Sequence, residues 1–321
     1  MTRIAVAARS FARNPVLRIE LAEKYPDVTF SESARLLEGA ALLKLLRGHD
    51  RAIIGLECID DSVLAELPEL KVISKYGVGL DGLDLPALER HGVKLAWTGG
   101  VNRRSVAELT LAFAIALLHR IPETSVALRG GDFQKLVGRQ LTGRVVGIIG
   151  CGFVGKDLVS LLAPFGCRVL AHDIRDYAEF YAAHGVEAVS LDRLLTEADV
   201  VTLHVPLDDS TRGMIGAPQM ARMQKGACLI NAARGGLVDE AALVDALSSG
   251  HLDGAACDVF QLEPDANPDL LALPAFLGTP HIGGSTAEAQ LAMGRAAIAG
   301  LEEAQLLGPN HPVMGHQEAR P

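Results

Sequence analysis

Val145-Val146-Gly147-Ile148-Ile149-Gly150-Cys151-Gly152-Phe153-Val154-Gly155 decides the reading of this chain. An apolar run of strand length passes directly into Gly-x-Gly-x-x-Gly and then into residues with helical periodicity. Strand, glycine turn and helix in that order make the phosphate-binding corner of a dinucleotide fold. Gly150 permits the tight turn, Gly152 lets the backbone approach a pyrophosphate, and Gly155 lets the helix pack close to the strand, so that Phe153, Val154 and the rest of the first helical turn present N–H groups to the phosphates. A second strand, Arg168 to His172, ends in Asp173, eighteen residues past Gly155. A carboxylate there accepts from a ribose with two free hydroxyls and repels a 2′-phosphate, so NAD is expected in preference to NADP, with Arg175 softening the repulsion. By itself the glycine signature is weak, since a glycine-rich turn occurs in other α/β proteins; the second strand and Asp173 give it weight.

Working outward, short apolar runs alternate with helical segments on both sides of this corner. Before it stand Ile4 to Ala8, Val28 to Phe30, Arg51 to Gly55, Val72 to Tyr76 and Val93 to Ala96, a rhythm of βα units with a parallel sheet. A helix from about Asn102 to Leu118 is apolar nearly all round, which places it in a domain junction or a subunit interface. From Val145 a second series begins, with strands Val145 to Ile149, Arg168 to His172, Asp199 to Val205, Ala227 to Asn231, Gly254 to Cys257 and Phe276 to Gly278. Six parallel strands suit a dinucleotide fold. A last helix, Thr286 to Leu306, leads into a short polar tail with Pro309 and Pro312.

At 321 residues, 49% of them hydrophobic, the chain can bury two cores. A formal net charge of −9, without a basic run to follow a phosphate backbone, argues against nucleic acid as a partner. Apolar stretches such as Leu109 to Leu118 are too short to span a bilayer, and Met1-Thr2-Arg3-Ile4 opens as a strand rather than a signal peptide, so a soluble, cytoplasmic protein with no membrane partner is expected. The five cysteines (58, 151, 167, 228, 257) lack paired spacing and read as buried thiols, Cys151 lying where a cofactor would shield it. No His, Cys or carboxylate cluster has metal-ligand spacing, so no metal is expected.

Ligands of open α/β sheets bind beyond the carboxyl ends of the strands. There the chain places Ala232-Ala233-Arg234-Gly235-Gly236 after Asn231, Asp258 after Cys257 with Glu263 five further on, and His281-Ile282-Gly283-Gly284 after Thr279-Pro280. A guanidinium, two carboxylates and an imidazole near the nicotinamide end of a dinucleotide can move a hydride and a proton together.

These residues carry a resemblance. Lys75-Tyr76-Gly77-Val78-Gly79-Leu80-Asp81, Ser105-Val106-Ala107-Glu108, the glycine loop, His204-Val205-Pro206, Asn231 through Asp239, Asp258-Val259-Phe260 and Pro280 through Thr286 are together highly specific. Across nearly its whole length the chain resembles the D-isomer-specific 2-hydroxyacid dehydrogenases, most closely their phosphoglycerate dehydrogenase branch. The resemblance implies two doubly wound parallel-sheet domains: a Rossmann NAD domain, residues 100–281, inserted into a flavodoxin-like substrate domain made of 1–99 and 282–321, with homodimers formed through the NAD domain.

Carried over residue by residue, it makes His281 the acid/base, Glu263 its carboxylate partner, and Arg234 the group that holds the substrate carboxylate and polarises the keto oxygen. The chemistry suits these residue types: an imidazole titrates in the neutral range, whereas a guanidinium stays charged. Val78 and Gly79 imply a second, backbone clamp on the carboxylate, and Asp258 a hold on the nicotinamide carboxamide. His204, Val205, Pro206, Ala232 and Gly283 imply cofactor contacts, and Asp81 and Asp84 order the loop after Gly79.

Departures from the family pattern touch the substrate. Leu95-Ala96-Trp97-Thr98-Gly99-Gly100 replaces an Asn-Thr-Pro-Gly type of segment, and Lys75 stands where many phosphoglycerate enzymes carry arginine. Lys75, Arg103 and Arg104 are either cations for a substrate phosphate or simply solvated charges. The expected activity interconverts a D-2-hydroxy acid and a 2-keto acid, 3-phosphoglycerate first, with glyoxylate or hydroxypyruvate close behind. A non-catalytic, NAD(H)-sensing corepressor-like protein is the competing class. A formate-oxidising relative would carry glutamine at Glu263, and too few residues follow the last helix for the regulatory domains of longer phosphoglycerate enzymes.

Overall fold

Strands buried on both faces need continuous apolar runs, and the runs in this chain build two all-parallel sheets. The computed structural model describes residues 2–309, 311 and 313; of the expected polar tail, Pro312 and the residues after Val313 lie outside the described residues. Two compact units are formed, one from the residues up to Asn102 together with those from Gly284 onward, the other from Arg103–Gly283.

The first unit holds β1 (Ile4–Val6), β2 (Val28–Phe30), β3 (Arg51–Ile54), β4 (Val72–Lys75) and β5 (Lys94–Ala96), ordered β2-β1-β3-β4-β5. That is the flavodoxin-like order, with the direction of winding reversing between β1 and β3. One face of the sheet packs on Leu42, Leu46, Leu64 and Leu88, the other on Phe11, Leu17 and Leu21. The helix Ala287–Glu303, capped by Thr286 Oγ1 accepting from Ala289 N at 3.2 Å, lies on the second face. It comes so close that a Cβ on Gly294 would sit 2.3 Å from Leu17, and one on Gly300 2.5 Å from Ser74 Oγ. Just beyond it Gln305 forms an antiparallel bridge with Leu95, so both chain ends complete one unit.

The second unit holds β6 (Val145–Ile149), β7 (Arg168–His172), β8 (Glu187–Ala188), β9 (Val200–Leu203), β10 (Ala227–Asn231), β11 (Leu252–Cys257) and β12 (Phe276–Gly278), ordered β12-β11-β10-β9-β6-β7-β8. This is the doubly wound dinucleotide order extended by one strand, with the switch between β6 and β9. Seven strands replace the six expected. The additional one, β8, spans two residues at the edge beside β7, too short to show an apolar run. The helix Arg103–Leu118 buries Val106, Ala107, Phe113, Ala114, Leu117 and Leu118 against the helix Phe153–Leu162 and strands β10 and β11 of its own unit. Among the described residues no single helix is long and apolar enough to cross a membrane.

Candidate active site

At the end of β6 the chain turns on Gly150, whose φ is +91°. Side chains are excluded on two sides: a Cβ on Gly150 would lie 2.7 Å from Val205 and 2.8 Å from His204 O, and one on Gly155 2.5 Å from Gly150 O. Above Gly152 there is open space, with nothing within 4 Å of an added Cβ. Asp173 braces this loop. Its Oδ2 accepts from Cys151 N at 2.6 Å and its Oδ1 from Arg175 N at 2.8 Å. Beside it opens a cavity of about 270 Å³ lined by Ala171, Asp173, Ile174, Arg175, Tyr181 and Val189. An open glycine cradle before a helix N-terminus, next to a pocket with a carboxylate at its rim, fits the pyrophosphate and adenosine of a dinucleotide. Cys151 is buried beneath, and burial pushes its thiol up to about 11.

His204 follows β9 directly. Its Nε2 lies 3.0 Å from Thr202 Oγ1, while Nδ1 is buried without a hydrogen-bond partner among the described residues. Burial pushes the imidazole down to about 3, so it is neutral. Ala232 is buried at the neighbouring strand end.

The ends of β10, β11 and β12 converge. Asn231, buried at the end of β10, donates from Nδ2 to Arg234 O at 2.8 Å and accepts at Oδ1 from Ala233 N at 3.1 Å, which closes the turn carrying Arg234. The Arg234 guanidinium donates to Ala233 O at 2.7 Å. Gly235 is required next, because a Cβ there would fall 1.7 Å from Phe260 O; the arginine turn is thereby pressed against the loop that bears Glu263. Glu263 is held at both oxygens: Oε1 accepts from Phe260 N at 3.1 Å, and Oε2 lies 2.9 Å from His281 Nδ1.

His281 has φ +53°, a left-handed conformation uncommon for a residue with a side chain. Asp258, 1% exposed, holds it there. The backbone carbonyl of Asp258 accepts from His281 N at 2.8 Å, and its carboxylate accepts from Thr279 Oγ1 at 2.6 Å, Ile282 N at 2.7 Å and Gly283 N at 2.7 Å. Of the roughly four acceptor directions of a carboxylate, three therefore serve the loop 279–283. Asp258 was expected to grip a carboxamide; the structure makes it first the organiser of the histidine loop. Gly283, expected to contact cofactor, has its N–H on Asp258 and its carbonyl on the Ser105 hydroxyl, so both backbone groups are engaged within the protein.

The electrostatics follow. The hydrogen bond to Glu263 raises the His281 pKa, against burial, which lowers it; the charges of Glu263 and Asp258 add to the rise and Arg234 opposes it. Burial alone would raise Glu263, but the hydrogen bond and charge of His281, the Phe260 N–H and Arg234 outweigh it and leave the carboxyl lowered. The contact with Glu263 through Nδ1 thus favours the protonated imidazole and leaves Nε2 as the nitrogen that can exchange a proton with a ligand.

Lys75, Val78 and Gly79 belong to the first unit. Lys75 is 6% exposed and its ammonium donates to Gly55 O, beside the buried Glu57, whose Oε2 accepts from Gly55 N at 2.6 Å. The strand end thus encloses the Lys75 side chain rather than leaving it solvated. Val78 turns its carbonyl to Trp97 Nε1 at 2.9 Å. Asp84 caps the helix Leu85–Arg90 by accepting from Ala87 N at 2.9 Å, and Arg104 pairs with Asp157 at 2.9 Å. Asn231, Thr279, Ser105 and Trp97 were not singled out from the sequence as site residues. A polar residue ending an apolar strand was the one local signal, at Asn231.

Residues 111–283 match the model of the D-isomer specific 2-hydroxyacid dehydrogenase, NAD binding domain. The chain belongs to this family. Its cofactor is NAD, and the matched stretch lies within the second unit. The D-3-phosphoglycerate dehydrogenase of Mycobacterium tuberculosis is 39% identical over 234 residues, 72% of this chain but 44% of that protein; the chain therefore spans less than half the length of that relative. The hydroxypyruvate reductase of Thermotoga maritima is 36% identical over 264 residues, 80% of this chain and 85% of the relative. Among solved structures, a Thermus thermophilus protein superposes with a TM-score of 0.83 at 34% identity, covering 94% of this chain and 95% of that one.

Proposed function

We propose that this family member is an NAD-dependent oxidoreductase that interconverts a D-2-hydroxy acid and a 2-keto acid. The observation that carries the reading is the His281–Glu263 pair, 2.9 Å apart, with its histidine pKa raised. Bound NAD supplies the hydride acceptor and, when reduced, the hydride donor. His281 Nε2 gives its proton to the oxygen of the keto acid as that oxygen gains charge, and takes it back in the reverse direction, while Glu263 stabilises the imidazolium. Arg234 holds the substrate carboxylate and faces the developing charge without yielding a proton of its own. In the first unit, the N–H groups of Val78 and Gly79 are the candidate backbone clamp for a carboxylate. Asp173 selects NAD over NADP.

The sequence favoured 3-phosphoglycerate, with glyoxylate or hydroxypyruvate second. The enclosure of Lys75 and the similarity over 80% of this chain to a hydroxypyruvate reductase favour the small, unphosphorylated acid. The helix Ile121–Arg129 and the segment after it leave Ile121, Val126, Leu128, Phe133 and Val137 half or more exposed, an apolar strip on the NAD domain that a second copy of the chain would cover in a homodimer.

The test is oxidation of NADH and NADPH against phosphorylated, hydroxylated and aliphatic 2-keto acids. Turnover of NADH with glyoxylate or hydroxypyruvate, faster than with NADPH, is expected. NADH binding without turnover of any keto acid would favour the nucleotide-sensing reading instead.

A further inference from the structure

The loop between β4 and the helix Leu85–Arg90 is pinned by its flanks. At its start Lys75 donates to Gly55 O, and Tyr76 N donates to Ile54 O at 2.8 Å. At its end Gly82 lies so close to the neighbouring loop that a Cβ would meet Glu57 O at 2.9 Å, Gly82 O accepts from Ile59 N at 2.8 Å, and Leu83 N donates to Leu80 O at 2.9 Å. Between these anchors the chain passes Gly77, at φ +113°, to Val78 and Gly79. There the contact comes from a side chain: the indole Nε1 of Trp97 donates to Val78 O at 2.9 Å. Trp97 is itself fixed, since it packs together with Leu80 against the core cluster that holds Leu64, Ile73 and Leu95.

A trans peptide is planar, and its C=O and the next residue's N–H point in opposite directions. An indole that holds the Val78 carbonyl on the protein side therefore turns the Gly79 N–H outward. We infer that Trp97 is a positioning residue, which aims the Gly79 N–H at the carboxylate of the substrate by holding the Val78 carbonyl. The inference rests on the dehydrogenase reading for the identity of the ligand, and on the Trp97–Val78 contact for the mechanism.

Trp97 is the one tryptophan of the protein, so its indole N–H gives a single, unambiguous resonance. Oxalate serves as the probe, a dicarboxylate that mimics the acid without reacting. With NADH saturating, calorimetric titration of Trp97→Phe, which keeps the ring and removes the donor, should show oxalate binding weakened about three- to tenfold, the loss expected of one neutral hydrogen bond. The KM for the keto acid should rise by a similar factor, with kcat and the Kd for NADH within about twofold. In the unsubstituted protein, oxalate should shift the indole 15N–1H resonance, a measurement that needs no variant to fold. Unchanged oxalate affinity in Trp97→Phe, an equal loss of NADH affinity, or an indole resonance indifferent to oxalate overturns the inference. If oxalate binding responds to Trp97→Phe while no keto acid is turned over, the positioning role stands and the dehydrogenase reading falls.

Discussion

His204 and His281 both stand just beyond the carboxyl end of a strand in the same sheet, and their surroundings drive them in opposite directions. His204 follows β9 with one nitrogen on a threonine hydroxyl and the other buried and unpartnered, and burial holds it neutral, down to about 3. His281 follows β12 in a left-handed turn with a carboxylate on Nδ1, and its pKa rises. A buried imidazole without a counter-charge is a wall. An imidazole with a carboxylate on one nitrogen is favoured in its protonated form and is equipped to act as an acid and a base. The difference lies wholly in partners brought from elsewhere in the chain.

The largest expected effect separates the two by activity. His281→Asn should lower kcat by about 10²- to 10⁴-fold, the usual worth of a general acid or base, while the Kd for NADH stays nearly unchanged. Stopped-flow binding with steady-state rates measures both. Near-normal turnover in that variant would leave His281 no more catalytic than His204.

A smaller effect sharpens the assignment of Glu263. Glu263→Gln removes the negative charge and leaves only a neutral amide oxygen to accept from Nδ1, so the histidine pKa should fall. Reduction of a keto acid needs protonated His281, and its alkaline limb should move to lower pH; oxidation of a hydroxy acid needs neutral His281, and its acidic limb should move the same way. Rate profiles in both directions that stay in place would show that the pair does not act through this proton.

The smallest effect is on stability and has opposite signs for the two residues. His204 has a folded pKa below its unfolded value, so its contribution is fully present above about pH 6.5 and is lost as pH falls, by at most about 1.4 kcal/mol per unit down to its folded pKa. His281, with a raised pKa, contributes below the unfolded value and loses that contribution as pH rises through the folded one. In the NAD-free protein, His204→Asn should therefore flatten the acid side of the stability curve between about pH 6.5 and 4, read by urea unfolding. An acid slope unchanged by His204→Asn would mean that water reaches this imidazole.

Much of the fold is legible along the chain because its signals are local. The runs ending at Val6, Phe30, Ile54, Lys75 and Ala96 each alternate with a helical segment, and the turn from Gly150 to Gly155 needs no distant residue to be read. β8 was missed because a two-residue edge strand takes its hydrogen bonds from β7 and carries no pattern of its own. At the site, Arg234, Glu263 and His281 could be named from their places after strand ends, but the reason Gly235 must be glycine, a carbonyl 25 residues away, could not.

Residue type and short spacing suffice for two parallel α/β sheets, a dinucleotide corner with a carboxylate just after its second strand, and three side chains suited to moving a proton beside a hydride. Only the packing of distant segments shows that Lys75 is enclosed, that Asp258 organises a loop through three hydrogen bonds, that burial lowers the His204 pKa while Glu263 raises that of His281, and that Trp97 holds the Val78 carbonyl. Burial and hydrogen-bond partnership arise from residues far apart in the chain. They set whether a lysine meets solvent, a carboxylate has lone pairs to offer, or an imidazole holds its proton.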